Sequence, residues 1–123
     1  MKSKFELFVD NPEKTVQFYQ EMFGFEIIKS EDRYTEIKQG EVRIGIGSTN
    51  KLAKDHHFNP EIKTQRKGLG VEIVFEVDDV DEVHKHIQGK NYPIETKMRM
   101  REWGKKDFRI ADPDGYYIRV TTK

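Results

Sequence analysis

The sequence predicts an α+β fold of two βαβββ modules, and three observations carry that prediction. Strand-like and helix-like runs alternate in the same order twice. Glu6-Leu7-Phe8-Val9-Asp10-Asn11 runs in step with Val74-Phe75-Glu76-Val77-Asp78-Asp79 at a constant offset of 68. Each copy ends a strand in Val-Asp, caps a helix with Asn or Asp and closes that helix with glycine. A segment without periodicity, residues 48–67, separates the copies. An echo of this kind is the signature of a duplicated unit.

In the first copy, Phe5 to Val9 (FELFV) is rich in β-formers and reads as a strand. Asp10-Asn11-Pro12 is a helix start, with an Asx N-cap and proline in the first turn. Val16, Phe18, Tyr19, Met22 and Phe23 follow at helical spacing, and Gly24 is the expected C-cap. Phe25 to Lys29 and Tyr34 to Lys38 read as strands, and Gln39-Gly40 turns the chain into a third, Glu41 to Gly47. In the second copy, Gly70 to Val77 reads as a strand. Asp78-Asp79 caps a helix through Val80, Val83, His84 and Ile87, with Gly89 ending it. Strands follow near Ile94 to Met100, Lys106 to Ala111 and Tyr116 to Thr121. Asp112-Pro113-Asp114-Gly115 supplies the turn before the last strand. One helix covers only one face of each sheet, so two such units are expected to curve round a shared cleft.

The totals bound the rest. The 123 residues fit one domain, read as a first module over 1–47, a linker over 48–67 and a second module over 68–123. Hydrophobic residues make up 35% and charged residues 36%, but 8 Phe and 5 Tyr argue against disorder. The 22 basic and 22 acidic residues balance, giving no global reason to bind nucleic acid or an anionic membrane. Without cysteine there is no disulfide, thiolate nucleophile or Cys-ligated metal. No stretch is long and apolar enough to cross a bilayer, and the N-terminus carries no signal-like apolar run. A soluble cytoplasmic protein is expected. A small polar domain gains core by sharing it, so a homodimer is expected as well.

The motifs resemble those of the vicinal oxygen chelate (glyoxalase/bleomycin-resistance/dioxygenase) superfamily. The stretch Val9-Asp10-Asn11-Pro12 through Phe18-Tyr19 to Phe23-Gly24-Phe25 is similar to its first strand and helix. Val77-Asp78-Asp79-Val80 is similar to the start of the second helix. Trp103-Gly104, Phe108 and Asp112-Pro113-Asp114-Gly115-Tyr116-Tyr117-Ile118 are similar to its C-terminal signature. The resemblance covers nearly the whole chain except 48–67. It implies curved mixed sheets forming a cleft, of the glyoxalase/bleomycin-resistance/dihydroxybiphenyl dioxygenase type, with modules paired within a chain or swapped between chains. It also implies, for metal-dependent members such as glyoxalase I, ligands on the first, fourth, fifth and eighth strands. Counting from the motifs puts these at Lys4, near Arg43 to Gly45, at Glu72 and at Arg119.

Lysine and arginine have no lone pair to give a cation, and one carboxylate does not hold a divalent ion. The expectation is therefore a metal-free member with no cofactor. Lys4, Glu72 and Arg119 are expected to form an ion cluster where the metal would lie, with Glu6 and Arg43 reaching the same cleft by strand alternation. That cluster either fills a vestigial site or pins a polar or anionic ligand group. Trp103 is a candidate aromatic wall of the cleft or else a hairpin-packing or dimer contact, and Phe8 is a cleft candidate. Tyr34, Phe58, Met98 and Met100 are further cleft candidates, with core packing the blander expectation for most.

His56 and His57 are read as solvated loop residues, and His84 and His86 as surface positions two apart on a helix. Lys97-Met98-Arg99-Met100-Arg101 reads as a solvated edge strand guarded by its basic residues. No Gly-x-Gly-x-x-Gly, phosphate loop or nucleophile elbow is present. The leading expectation is metal-free binding and sequestration of a drug or metabolite in the cleft. A glyoxalase-type lyase or isomerase with Glu72 as base is the enzymatic alternative. A degenerate interaction module with its cleft closed by ions is a third.

Overall fold

The computed structural model describes residues 1–63 and 65–123. Two compact units emerge, Met1–Arg66 and Lys67–Lys123. The first contains β1 (Phe5–Val9), α1 (Pro12–Phe23), β2 (Glu26–Glu31), β3 (Tyr34–Gln39) and β4 (Val42–Ser48). The second contains β5 (Glu72–Val77), α2 (Val80–Gly89), β6 (Thr96–Met100), β7 (Lys106–Ala111) and β8 (Tyr117–Thr122). Both sheets have one topology: β1-β4-β3-β2 in the first and β5-β8-β7-β6 in the second. In each, the strand before the helix pairs in parallel with the last strand, and the remaining pairs are antiparallel. The α+β reading with two βαβββ modules therefore holds. Boundaries move by a few residues: β2 runs on to Glu31, while β5 and β6 begin two residues later than expected, at Glu72 and Thr96.

The repeat extends to the hydrogen bonds that start the helices. Asn11 is extended (φ −130°, ψ 93°) and accepts a bond from the Lys14 amide at 3.2 Å. Asp79 has nearly the same backbone (φ −135°, ψ 97°) and accepts from the Glu82 amide at 3.0 Å. Each cap satisfies one orphan amide of the first turn. Asn11→Ala and Asp79→Ala are each expected to cost about 1 kcal/mol, read as a fall in the urea midpoint. The helix ends differ. Gly24 (φ 72°) closes α1, its N–H donating to Gln20 O at 3.0 Å. In α2, Gly89 is the last helical residue, and the left-handed position falls instead on Asn91 (φ 56°). Asparagine tolerates that conformation better than most side-chain-bearing residues.

Alternation along the strands separates two faces. In the first unit, Leu7, Val9, Ile37, Ile44 and Ile46 are buried on the face that α1 covers, against Val16 and Tyr19 of the helix. In the second, Ile73, Phe75, Phe108, Ile118 and Val120 do the same beneath α2. His84, expected at the surface, is half-buried and packs in a T-shaped contact with Phe108, centroids 4.8 Å apart. Met100, for which core packing was the blander expectation, is instead 61% exposed on edge strand β6.

The segment after β4 folds back on the first unit through two short 3-10 turns, Thr49–Lys51 and Glu61–Lys63. Thr49 donates to the Asp10 carboxylate at 2.8 Å. The rings of His56 and Phe58 pack on Phe8, with centroids at 5.2 and 5.4 Å. His56, expected to be solvated, is therefore half-buried in an aromatic cluster, whereas His57 stays exposed.

The Asp-Pro-Asp-Gly turn is held from both sides. One oxygen of buried Asp112 accepts from the Asp114 and Tyr116 amides, each at 2.9 Å. Lys67 pairs with Asp114 at 3.5 Å. Gly68 (φ 71°) lies so close that an added Cβ would meet the Tyr116 ring at 2.7 Å and its Cα at 3.3 Å. Strain and collision act together there. Gly68→Ala is expected to cost about 2 kcal/mol, and Gly70→Ala, with open space around it, less.

Candidate functional site

The helix-free face of each sheet is where the charged residues gather. In the first unit it carries Lys4, Glu6 and Phe8 from the β1 side, Tyr34 and Glu36 from β3, and Arg43, Gly45 and Gly47 from β4. Glu36 is the hub. Its side chain is 9% exposed, yet Lys4 Nζ lies 3.2 Å from one oxygen and Arg43 Nε 3.2 Å from the other. Lys4 also pairs with Glu6 at 3.2 Å and sits 5.0 Å above the Tyr34 ring. The Tyr34 hydroxyl donates to Glu6 at 3.1 Å. Gly45 makes this layout possible, because a Cβ there would collide with the Glu6 carboxylate and the Tyr34 hydroxyl. Gly47 leaves room for the Phe8 ring in the same way, at 3.3 Å from the added carbon.

In the second unit the corresponding face carries Glu72, Asp107, Arg109 and Arg119, joined by Arg101 just past β6. Arg109 and Arg119 are direct cross-strand partners. Like charges so placed repel, and two carboxylates hold them together. Glu72 accepts from Arg109 Nε at 3.0 Å and from Arg119 Nε at 2.9 Å, one on each oxygen. Asp107 is fully buried, with Arg101 Nε at 2.7 Å. The Nη1 atoms of Arg109 and Arg119 approach it to 3.7 and 3.8 Å, too far for hydrogen bonds. Arg101, expected as a solvated guard of the edge, is thus an internal partner of a buried carboxylate.

The electrostatics follow from these contacts. Bonds to Tyr34, Glu6 and Glu36 hold the Lys4 ammonium well above its ordinary pKa. The Arg43 bond, aided by Lys4, holds Glu36 below the usual carboxylate range against the opposing effect of burial. Desolvation pushes Glu72 up, but Arg109 and Arg119 together outweigh it and leave its pKa lowered. Both carboxylates therefore favour the folded state above their unfolded pKa near 4.5, and that contribution is lost as pH falls through their lower folded values. Glu36→Gln and Glu72→Gln are expected to flatten the fall in urea midpoint between pH 6 and 3 (roughly the carboxylate range). An unchanged profile in both variants would contradict the pairing.

Lys4, Glu6, Phe8 and Arg43 share one face in the first unit, and Glu72 and Arg119 share one in the second. Within the first unit Lys4 takes its carboxylates from Glu6 and Glu36, and within the second Arg119 takes Glu72 and Asp107. Trp103 stands 63% exposed in the β6–β7 connection. Sequence reasoning missed Glu36, Asp107 and Arg109 and misassigned Arg101. Parity would have found two of them, since Asp107 and Arg109 share the face of Arg119.

A family model described as the Glyoxalase/Bleomycin resistance protein/Dioxygenase superfamily matches residues 3–120. The chain belongs to that superfamily. A bleomycin resistance protein of Geobacillus stearothermophilus is 27% identical over 120 residues, covering 89% of this chain and 87% of the relative. Among solved structures, TioX from Micromonospora sp. ML1 superposes with a TM-score of 0.82 at 17% identity, over 99% of this chain and 98% of that one. A lactoylglutathione lyase from Agrobacterium tumefaciens does so with a TM-score of 0.76 at 22% identity, over 99% and 92%. At these identities the structures speak for the fold alone.

The superfamily's metal positions can be tested against the residues present. Glu6 lies opposite Gly45 on β4, as Val74 lies opposite Arg119 on β8. The repeat therefore fixes the fourth-strand position at Gly45. The four places hold an ammonium, no side chain, a carboxylate with a guanidinium on each oxygen, and a guanidinium. Among the described residues no group of three or more His, Asp or Glu side chains is placed to hold an ion. This donor set does not fit a divalent cation. Among the described residues, no helix is long and apolar enough to cross a membrane.

Proposed function

We propose that this superfamily member binds a small molecule without a metal and acts by holding it rather than transforming it. One observation carries the reading: where metal-dependent relatives would place donors, this chain places two cations, a glycine and a carboxylate already engaged by cations. Part-exposed guanidiniums supply polar anchors, and the Phe8-His56-Phe58 cluster supplies rigid apolar area. The 27% identity to a bleomycin resistance protein makes bleomycin a reasonable first probe. Homodimerisation belongs to the same reading, because a small, highly charged chain gains apolar burial by sharing a surface.

The glyoxalase-type lyase is the weaker alternative. It would use Glu72 as a base, but both oxygens of Glu72 are occupied and its pKa is lowered. A base suited to neutral pH needs the opposite shift. An interaction module closed by its ion networks remains the third reading, favoured by failure to bind any small molecule.

Titration with bleomycin and a panel of planar compounds, followed by Trp103 fluorescence and native mass spectrometry, tests the proposal. Saturable binding by a dimer free of stoichiometric metal is expected. One Zn, Ni, Mn or Fe per chain, or turnover of the methylglyoxal–glutathione adduct, would overturn it.

A further inference from the structure

We infer that the helix-free face of the second sheet is a small-oxyanion site, in which Arg109 and Arg119 present paired guanidinium edges that Glu72 occupies as an internal stand-in. The inference rests on the small-molecule reading and names the ligand group recognised.

Charge balance is the first support. Arg101, Arg109 and Arg119 converge on two carboxylates, Glu72 and Asp107, leaving one positive charge in excess. The excess lies beside partly desolvated groups, since the three arginine side chains are only 17%, 19% and 23% exposed. Attraction for an anion is stronger there than at a fully solvated lysine.

Unused donors are the second support. Arg109 and Arg119 each spend the Nε–H on Glu72, and their Nη groups reach Asp107 no closer than 3.7 Å. Guanidinium edges with uncommitted N–H groups suit carboxylate and phosphate oxygens. A hydrogen-bonded pair of hydroxyls, with one O–H left to give, extends the donor set on the same face. Thr96 is the cross-strand partner of Arg109, Tyr117 lies opposite Glu72, and their hydroxyl oxygens are 3.1 Å apart.

The third support is the depth at which the two acids sit. Asp107 is fully buried and forms the floor, so it holds the arginines and cannot leave. The Glu72 side chain is 35% exposed at the start of β5. Its carboxylate joins two arginine Nε atoms as a ligand carboxylate would, and it can swing to solvent when one arrives. The first sheet lacks this arrangement, because its hub Glu36 is buried and its two cations are matched by two carboxylates.

The probes are inorganic phosphate and a simple monocarboxylate such as lactate, titrated calorimetrically into the full chain at constant ionic strength, with chloride as the reference. Phosphate is expected to bind the wild type weakly and Glu72→Gln about tenfold more tightly, because the internal competitor has lost its charge. Arg119→Gln in the Glu72→Gln background is expected to remove about tenfold or more. Arg119→Lys, which keeps the charge and loses the fork, guards against a variant that fails to fold and is expected to recover part of the loss. Preference between phosphate and lactate identifies the oxyanion. Equal binding by wild type and Glu72→Gln, or binding indifferent to both Arg119 changes, would overturn the inference. A neutral or cationic compound that shifts Trp103 fluorescence with the same affinity in Arg119→Gln, where phosphate and lactate bind neither wild type nor Glu72→Gln, would also overturn it, while leaving the small-molecule reading standing. A protein that binds no member of either panel would end both.

Discussion

Replacing Asp107 with alanine is expected to cost about 3 kcal/mol of folding stability, one of the two largest losses foreseen for this chain. The carboxylate is fully buried at the base of the second sheet's charged face, and burying it is tolerable only because three arginines surround it. Its removal leaves Arg109 and Arg119 facing each other across β7 and β8 with Glu72 as their remaining carboxylate. Arg101 loses its 2.7 Å bond altogether. Breaking a buried pair costs about 3–5 kcal/mol. The lower end applies here, because the arginines keep some contact with water. Urea denaturation at pH 7 reads the loss. A double-mutant cycle with Arg101→Met should return a coupling of about 1–3 kcal/mol, and additivity within about 0.5 kcal/mol would show that the two side chains do not act together.

That network also shows where sequence reasoning stopped. The duplicated frame was legible because its signals are local. The Asn11 and Asp79 caps each act on an amide three residues on, and the alternating apolar runs mark their own faces. The ion partners are not local. Glu36 is 32 residues from Lys4, and Arg119 is 47 residues from Glu72. Alternation tells which face a side chain takes, but the neighbour across the ladder depends on register, and register depends on turn lengths and the bulges in β2 and β6. Arg101 is the clearest case. A basic residue at the end of an edge strand reads as protection against pairing, and only the β6–β7 hairpin reveals that Asp107 lies within its reach. The absence of metal donors at Lys4 and Arg119 was legible for the opposite reason: side-chain identity decides it without any partner.

Truncating Phe108 to alanine is expected to cost about 4 kcal/mol, the largest single core effect. Phe108 is fully buried on the helix side of β7, sits opposite Val120 in the ladder and makes a T-shaped contact with His84 of α2. Removing the ring deletes one of the contacts that join helix to sheet in the second unit and leaves a cavity bounded by side chains that are themselves fixed by the strands. Phe108→Leu fills much of that volume and should cost less than about 1.5 kcal/mol. The two variants separate loss of area from loss of the aromatic contact, since His84→Ala in the wild type should cost about 1 kcal/mol and almost nothing in the Phe108→Leu background. Hydrogen exchange locates the damage: in Phe108→Ala the amides of β7 and β8 should exchange faster, whereas those of β3 and β4 should change less. Uniform acceleration across both sheets would mean that Phe108 supports more than the second unit's own core.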